Sequence, residues 1–299
     1  MKDSTVLLID CPDRKGLVAR VSTLLYEQGA NILHADQHQD HDLGLFFMRV
    51  EFSLGPAEGS LLPTSRPEDG QEYLDLERFR SVFAPLAAEL NMRWKLTSSV
   101  RKPRVALFCS QYLHCMADLL HRWRTGELHC EIPLIVSNHR AVENLAAFYG
   151  IPFEHVPMTA ATRPEVEPRL LDTLAGKGVE LVVLARYMQI LSPTFVERYP
   201  AQIINVHHSF LPAFTGAKPY HAAHARGVKL IGATSHYVTE ILDDGPIIEQ
   251  DVARISHRDQ VEDLVARGRD LERIVLSRAV RWHLDRRILC YGNKTVVFD

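Results

Sequence analysis

From residue 105 onward, short apolar runs alternate with longer amphipathic stretches, and this alternation constrains the fold more than any other feature of the chain. The amphipathic stretches, such as 141–149 and 164–174, have helical spacing, and a long one follows over 260–286. The apolar runs have the length of buried strands and cover residues 105–109, 134–136, 181–184, 203–206 and 230–233. Such alternation predicts a mostly parallel, Rossmann-like sheet with helices on both faces.

The first hundred residues have a different order of elements. An apolar run over 6–9 precedes a helical pattern over 16–27, which Gly29 ends. The patterns that follow are two strands, a helix and a strand, over 31–33, 44–52, 76–90 and 92–96. This β-α-β-β-α-β order is the ferredoxin-like arrangement. A length of 299 residues suggests roughly two domains, and we predict them over 1–98 and 104–299 with a linker over 99–103.

We interpret two polar segments of the smaller domain as surface structure without a function of their own. Residues 55–71 are rich in Gly, Pro, Ser and charge, which predicts a surface loop longer than a simple turn. His34, His38 and His41 follow a predicted strand with a spacing that a metal ion would tolerate. We interpret them as part of a solvated turn.

Composition excludes several classes of protein. With 34 Lys and Arg against 37 Asp and Glu, the net charge of −3 offers no bulk attraction for nucleic acid or an anionic membrane. No apolar run approaches the roughly 20 residues that span a bilayer. Asp10 interrupts the first apolar run, and no small-residue cleavage site follows, so we expect no secretory signal. Five scattered cysteines favour reduced thiols and a cytoplasmic protein.

The most unusual stretch is Asn205-Val206-His207-His208, which follows an apolar run. Asn205 and His207 are two residues apart at a strand end and therefore share a face. Asp243 lies on a later turn, from which its carboxylate could reach a neighbouring strand end. An amide, an imidazole and a carboxylate suffice for acyl chemistry. Because the chain has 15 histidines, a structural or solvated role for His207 remains open from spacing alone.

Other catalytic and metal motifs are missing from the sequence. It contains neither the Gly-x-Ser-x-Gly elbow of esterases nor the His-Glu-x-x-His helix of zinc proteases. His114-Cys115 and His129-Cys130 lack the paired Cys-x-x-Cys spacing of zinc sites. We therefore predict that the protein has no metal.

The stretch 205–251, NVHHSFLPAFTGAKPYHAAHARGVKLIGATSHYVTEILDDGPIIEQD, resembles the catalytic segment of the formyltransferase fold that uses 10-formyltetrahydrofolate. The whole chain resembles the formyltetrahydrofolate deformylase family, with CPDRKGLV at 11–18, VSNH at 136–139, LARYMQIL at 184–191 and SHRD at 256–259. The resemblance implies an ACT-like N-terminal domain and a hydrolase domain of the formyltransferase fold.

The resemblance also implies a site. Its catalytic residues would be Asn205, His207 and Asp243, with Asp244 as a neighbouring but different carboxylate. The walls around the folate ring would be Met188, Gln189, Ile190, Leu191, Thr239, Glu240 and Leu242, although core packing also explains 188–191. The implied reaction is the hydrolysis of 10-formyltetrahydrofolate to tetrahydrofolate and formate, which needs no cofactor besides the folate substrate.

One loop favours hydrolysis over formyl transfer. The related formyltransferase that acts on glycinamide ribonucleotide has a glycine-rich loop after its first strand, where bare amides receive the substrate phosphate. The equivalent residues here, 109–115, contain no glycine, so water becomes the available nucleophile. A formyltransferase that acts on an unidentified amine is the alternative, and an inactive folate sensor is a third hypothesis.

The ACT-like domain implies a partner and an effector. Gly16 opens a helix after a turn, and helix-start amides suit a carboxylate ligand. The side chain of Asn31 could hold the same ligand by hydrogen bonds. We expect glycine or methionine to bind between two copies of a homo-oligomer, the alternative being a domain that serves assembly only.

Overall fold

The computed structural model describes residues 4–54, 76–213 and 219–298. The chain divides into two compact units, one of residues 1–101 with 296–299 and one of residues 102–295. The predicted loop over 55–71 lies outside the described residues. Among the helices in the described ranges, none is both long enough and apolar enough to cross a membrane.

The first unit has the predicted β-α-β-β-α-β order. Its elements are β1 (Thr5–Pro12), α1 (Leu17–Glu27), β2 (Ala30–Asp40), β3 (Leu45–Leu54), α2 (Leu76–Glu89) and β4 (Arg93–Ser98). The strands form one sheet in the order β2-β3-β1-β4, and all three pairs are antiparallel. Apolar side chains of β1, such as Leu7 and Ile9, pack with those of both helices, such as Val21 and Phe83. The ferredoxin-like prediction is confirmed.

The histidine-rich segment differs from its prediction. β2 continues to Asp40, so His34 and His38 lie in a strand, whereas His41 lies in the turn that follows, as predicted. The pairing of β2 with β3 extends to Asp40 opposite Leu45, and the ring of His38 stacks on Phe47 with centroids 6.1 Å apart. The turn was wrong for His34 and His38 because β3 offers backbone partners along its whole length, and these bonds extend a strand whose own sequence is polar.

The second unit alternates strands and helices. Its strands are β5 (Arg104–Cys109), β6 (Glu131–Ser137), β7 (Phe153–His155), β8 (Leu181–Leu184), β9 (Ile203–His207), β10 (Leu230–Tyr237), β11 (Ile247–Arg254) and β12 (Ile288–Tyr291). The last strand, β13 (Lys294–Val297), begins in this unit, and its residues from 296 on are counted with the first. Its helices are α3 (His114–Arg124), α4 (Glu143–Tyr149), α5 (Arg163–Gly176), α6 (Pro193–Arg198), α7 (Pro219–Arg226) and α8 (Val261–Leu284). Strands β5 to β11 form a seven-stranded sheet in the order β11-β10-β9-β8-β5-β6-β7.

Strands β5 to β9 are parallel, whereas β10 and β11 extend the edge in antiparallel pairing. Helices cover both faces: Leu119 of α3 and Leu276 of α8 belong to one buried cluster, and Leu170 of α5 and Phe195 of α6 belong to another. The predicted mostly parallel sheet with helices on both faces is therefore confirmed.

The order of the strands in the large sheet predicts where a ligand site lies. The chain passes from β5 outward through β6 and β7, then returns to the other side of β5 at β8 and continues to β9. In open α/β sheets, ligands bind at the carboxyl ends of strands where the order reverses in this way. Ser110 follows β5 and Arg186 follows β8, and the Ser110 amide donates to the Arg186 carbonyl over 3.1 Å.

Candidate active site

Strand β9 carries Asn205 and His207 into this end of the sheet. Ile203 and Ile204 at its start are completely buried, which anchors the strand in the core. The strand alternates, so Asn205 and His207 face the same side, and both line one cavity. Polar side chains on a buried strand cost free energy unless they are satisfied, so their partners at this cavity matter.

The turn 243–246 brings Asp243 to the same place. Asp243 has a left-handed backbone with φ of 56°, which Asp tolerates better than bulky residues. A Cβ added at Gly245 would overlap the carbonyl oxygen of Tyr237, so only glycine fits there. The Tyr237 amide donates to the Pro246 carbonyl over 2.9 Å and closes the turn.

His207 and Asp243 form the central contact of the site. The Nδ1 atom of His207 lies 3.2 Å from Oδ2 of Asp243. The hydrogen bond and charge of His207 hold the pKa of Asp243 below its usual value, although partial burial opposes this. Nε2 of His207 is buried and has no hydrogen-bond partner among the described residues. An imidazole held at Nδ1 by a carboxylate is thus left with its second nitrogen available for chemistry.

His236 on β10 is a site residue that the sequence reasoning missed. Its Nδ1 lies 2.9 Å from the Tyr237 carbonyl oxygen and its Nε2 lies 3.3 Å from Nδ2 of Asn205. A carbonyl can only accept, so Nδ1 carries the proton and Nε2 accepts from the Asn205 amide. Burial lowers the pKa of His236 and favours this neutral form, against the opposing influence of the Tyr237 hydrogen bond and the Asp243 charge.

The sequence held one indication of a role for His236, namely its position on the strand that precedes the Asp243 turn. His236 lies on the strand before the Asp243 turn, and the antiparallel register pairs it with Asn205. β10 also shifts register against β11 between Ser235 and His236, an irregularity of the kind that re-aims side chains near active sites. The register itself could not be read from the local sequence.

The catalytic cavity has a volume of about 450 Å³. Asn205, His207 and Asp243 line it together with all seven residues predicted as folate walls, Met188, Gln189, Ile190, Leu191, Thr239, Glu240 and Leu242. Met188 and Ile190 are 52% and 57% exposed, whereas Leu191 is 8% exposed and packs in the core. Core packing therefore describes Leu191, while exposed apolar side chains at the cavity indicate a surface for a flat, partly apolar ligand.

Another missed residue, Arg186, lines the same cavity. It follows β8 with a left-handed φ of 63°, and its guanidinium carbon lies 5.6 Å from the ring centroid of Tyr112. The Ser110 hydroxyl donates to Oδ1 of Asn138 over 2.6 Å and accepts from the Met188 amide over 2.9 Å. These bonds, with that of the Ser110 amide, hold the glycine-free loop after β5 against the end of β8.

One group of potential metal ligands lies beside the catalytic cavity. Side-chain atoms of His114, Cys115 and Glu272 are within 4.8 Å of one another. Burial raises the pKa of the Cys115 thiol well above its usual value, and Nε of Arg186 lies 3.4 Å from the Glu272 carboxylate. The resident guanidinium of Arg186 opposes a metal cation at this carboxylate. The expectation of a metal-free protein stays a prediction.

The predicted effector residues are far apart in one copy of the chain. Gly16 precedes α1 with φ of 88°, near the end of β1, where Pro12 pairs with Leu45. Asn31 pairs with Ser53 near the opposite end of the sheet. The structure does not bring these two residues together within one copy, so a shared ligand would require residues from a second copy.

Comparisons with known proteins follow the division of the chain. The family model "Formyl transferase" matches residues 103–280, and the model "ACT domain" matches residues 5–58. Formyltetrahydrofolate deformylase of Synechocystis is 50% identical over 99% of this chain and 98% of its own, and that of Bacillus subtilis is 46% identical over 100% and 95%.

A crystal structure of formyltetrahydrofolate deformylase from Pseudomonas syringae pv. tomato is also similar. It superimposes with a TM-score of 0.90 at 47% identity and covers 99% of this chain and 95% of that one. Sequence and fold therefore agree over both units and the full catalytic segment. By this agreement the chain is a member of the formyltetrahydrofolate deformylase family.

Proposed function

We propose that this protein hydrolyses 10-formyltetrahydrofolate to tetrahydrofolate and formate, with Asn205, His207 and Asp243 as its catalytic residues. The observation that carries the proposal is the 3.2 Å contact between His207 and Asp243, which leaves the buried Nε2 of His207 without a partner among the described residues. An unsatisfied buried nitrogen is costly in a folded protein and is expected where a substrate or water completes the bonding.

The reaction begins with attack of water on the formyl carbon. Nε2 of His207 takes a proton from the water as the new carbon–oxygen bond forms. The imidazolium is stabilised by Asp243, whose carboxylate accepts from Nδ1. The electrons of the formyl C=O bond move to its oxygen and give a tetrahedral oxyanion.

Asn205 stabilises this oxyanion. One N–H of its amide is engaged by His236, and the other remains for the negative oxygen. Collapse of the intermediate breaks the bond from carbon to N10, and N10 takes the proton from His207. Formate leaves as the anion after its acidic proton passes to solvent, so water has been added across the amide and the enzyme is restored.

The surroundings support hydrolysis over transfer to an amine. The amide of Ser110, which follows β5, is already bound to the Arg186 carbonyl. The bulky side chain of Tyr112 then occupies the next part of the loop and contacts the guanidinium of Arg186. This loop therefore offers a phosphate neither a glycine nor the Ser110 amide.

The proposed chemistry uses no cofactor. An N10-formyl group is a fairly activated amide, and the chain's own residues supply the base, the acid and the oxyanion donor. A cytoplasmic location belongs to the same proposal, supported by five cysteines of which none is paired.

A stoichiometric assay tests this function. The purified protein is given 10-formyltetrahydrofolate without any amine, and formate and tetrahydrofolate are measured separately. We expect the two products in equal amounts, and no activity above background in His207→Ala. Loss of the formyl group that requires an added amine would instead identify a transferase.

We further propose that the ACT domain pairs with that of a second copy and binds glycine or methionine between them. The exposed strand β2 leaves a sheet edge available for pairing. Because Gly16 and Asn31 lie near opposite ends of the sheet in one copy, a ligand that contacts both would have to lie between two copies.

A further inference from the structure

A second cavity of about 310 Å³ adjoins the catalytic cavity, and the proposed reaction does not use it. Arg186, Met188 and His208 line both cavities and form the boundary between them. Arg269 of α8 and Tyr112 line the second cavity only. A molecule released beside His207 therefore has a polar space within reach on the other side of Arg186.

The charge of this second cavity is predominantly positive. Arg186 and Arg269 both place their guanidinium carbons 5.6 Å from the ring centroid of Tyr112. This arrangement holds two permanent cations near one aromatic ring. Glu272 supplies the one carboxylate among the lining residues, whereas the lining also includes several histidines.

The carboxylate of Glu272 is already fully engaged. It accepts from the Tyr220 hydroxyl over 2.8 Å, lies 2.8 Å from Nε2 of His114, and lies 3.4 Å from Nε of Arg186. Burial alone would raise the pKa of Glu272, but His114, Arg186 and Tyr220 together hold it below its usual value. Tyr220, His114 and Arg186 are thus the partners of the Glu272 carboxylate. The guanidinium of Arg269 is not among them and can attract a further anion.

The bonding of the buried Arg186 side chain also points to a ligand. The residue is 9% exposed, and its buried Nε forms no hydrogen bond within the described part of the chain, although the Glu272 carboxylate lies 3.4 Å away as an ion-pair partner. A buried guanidinium with an unsatisfied N–H is unfavourable, and a carboxylate is the group that best matches its planar donors. The side chain that separates the two cavities is therefore incompletely bonded in the absence of an anion.

We propose that the second cavity is a binding site for a small monocarboxylate, and that its ligand is formate. The inference rests on the proposed function for the source of the ligand, because hydrolysis generates formate next to Arg186. Asp243 is ionised and repels the newly formed anion, whereas Arg186 and Arg269 attract it. A dianion fits less well, because it would also approach the carboxylate of Glu272.

Binding is tested first without turnover. The full-length protein, free of folate, is titrated with ¹³C-labelled formate, and binding is measured by broadening of the formate resonance and by saturation transfer. We expect saturable binding to the native protein and binding at least tenfold weaker in Arg186→Gln and Arg269→Gln, as for loss of a charge-assisted contact. Arg273→Gln is the matched control, since it removes the same charge from α8 but does not line the cavity.

Kinetics distinguish the two cavities. Added formate should inhibit hydrolysis in a way that excess folate substrate does not relieve, and Arg269→Gln should turn over normally while losing this inhibition. Arg269 is exposed, so this variant stays informative even if Arg186→Gln fails to fold. Binding that is unchanged in Arg269→Gln, or inhibition that is purely competitive with folate, would overturn the site. A protein that binds formate but does not hydrolyse the folate would overturn the proposed function alone.

A last arm addresses the identity of the anion. Acetate, nitrate and inorganic phosphate are titrated in competition with labelled formate. We expect acetate and nitrate to displace it and phosphate to do so at least tenfold less well. Tighter binding of phosphate than of formate would contradict the assignment to a monocarboxylate.

Discussion

Nδ1 of His207 lies 3.2 Å from Oδ2 of Asp243, although one residue ends a central strand and the other occupies a turn far along the chain. Two local features make this contact: the alternation of β9, which faces His207 into the cavity, and Gly245, which permits the tight turn behind Asp243. The contact fixes one nitrogen of the imidazole and leaves the other for the substrate.

Asn205, His207 and Asp243, the proposed catalytic residues, should act as a unit. Asn205→Ala should lower kcat by roughly 10²–10³, the effect of removing one oxyanion donor. In His207→Ala and Asp243→Ala, kcat should fall by at least as much. In the double variant with both of these changes, kcat should be little lower than in the less active single variant. Steady-state kinetics and circular dichroism separate loss of activity from loss of fold. Asp244→Ala is the control, because Asp244 is exposed. An inactive Asp244→Ala beside a near-normal Asp243→Ala would mean that the other carboxylate is catalytic.

His236 should act as a positioning residue for Asn205. His236→Ala removes the acceptor that holds the Asn205 amide at 3.3 Å, and we expect kcat to fall about tenfold with little change in KM. His236→Gln retains a carbonyl that can accept the same hydrogen bond and should recover most of the rate. A purely structural role would instead give parallel losses of stability and rate in both variants.

The same histidine should make the free energy of unfolding depend on pH. Because the folded pKa of His236 lies below 6.5, the unfolded chain binds more protons than the folded protein below that pH. Its stabilising contribution is therefore present above pH 6.5 and is lost as the pH falls through the folded pKa. Urea unfolding of native protein and His236→Gln at several pH values checks this. As the pH falls, the free energy of unfolding should decrease less in His236→Gln than in the native protein. An equal decrease with pH in the two proteins would contradict the prediction.

Activity should survive removal of metal ions. Arg186 lies 3.4 Å from Glu272, so the carboxylate in the group of His114, Cys115 and Glu272 already has a cationic neighbour. Extended dialysis against a strong chelator should leave kcat/KM unchanged within about twofold. Inactivation that zinc or iron reverses would show that a metal participates.

Glycine or methionine should bind to the ACT domain and change the rate of hydrolysis. Calorimetric titration with each of the twenty amino acids, followed by assays with those that bind, tests this. Asn31→Ala should remove a side-chain contact, and Gly16→Val should strain a backbone that has φ of 88°. Gly126→Val is a control for strain alone, because Gly126 also has a positive φ, of 84°, but lies in the other unit. If no amino acid binds, the domain serves assembly.

Alternation of apolar and amphipathic segments determined the parallel sheet with its covering helices, because strand and helix periodicity are local properties of the chain. The two-residue spacing of Asn205 and His207 determined that they share a face, for the same reason. Tertiary structure decided the rest. The full length of β2, through His34 and His38, depends on the backbone partners that β3 supplies. The role of His236 depends on an antiparallel register. The pairing of Arg186 with Glu272 depends on the packing of α8 against β9 and β10, next to β8 in the sheet. Register and helix packing join residues that are distant in sequence, and no local pattern encodes them.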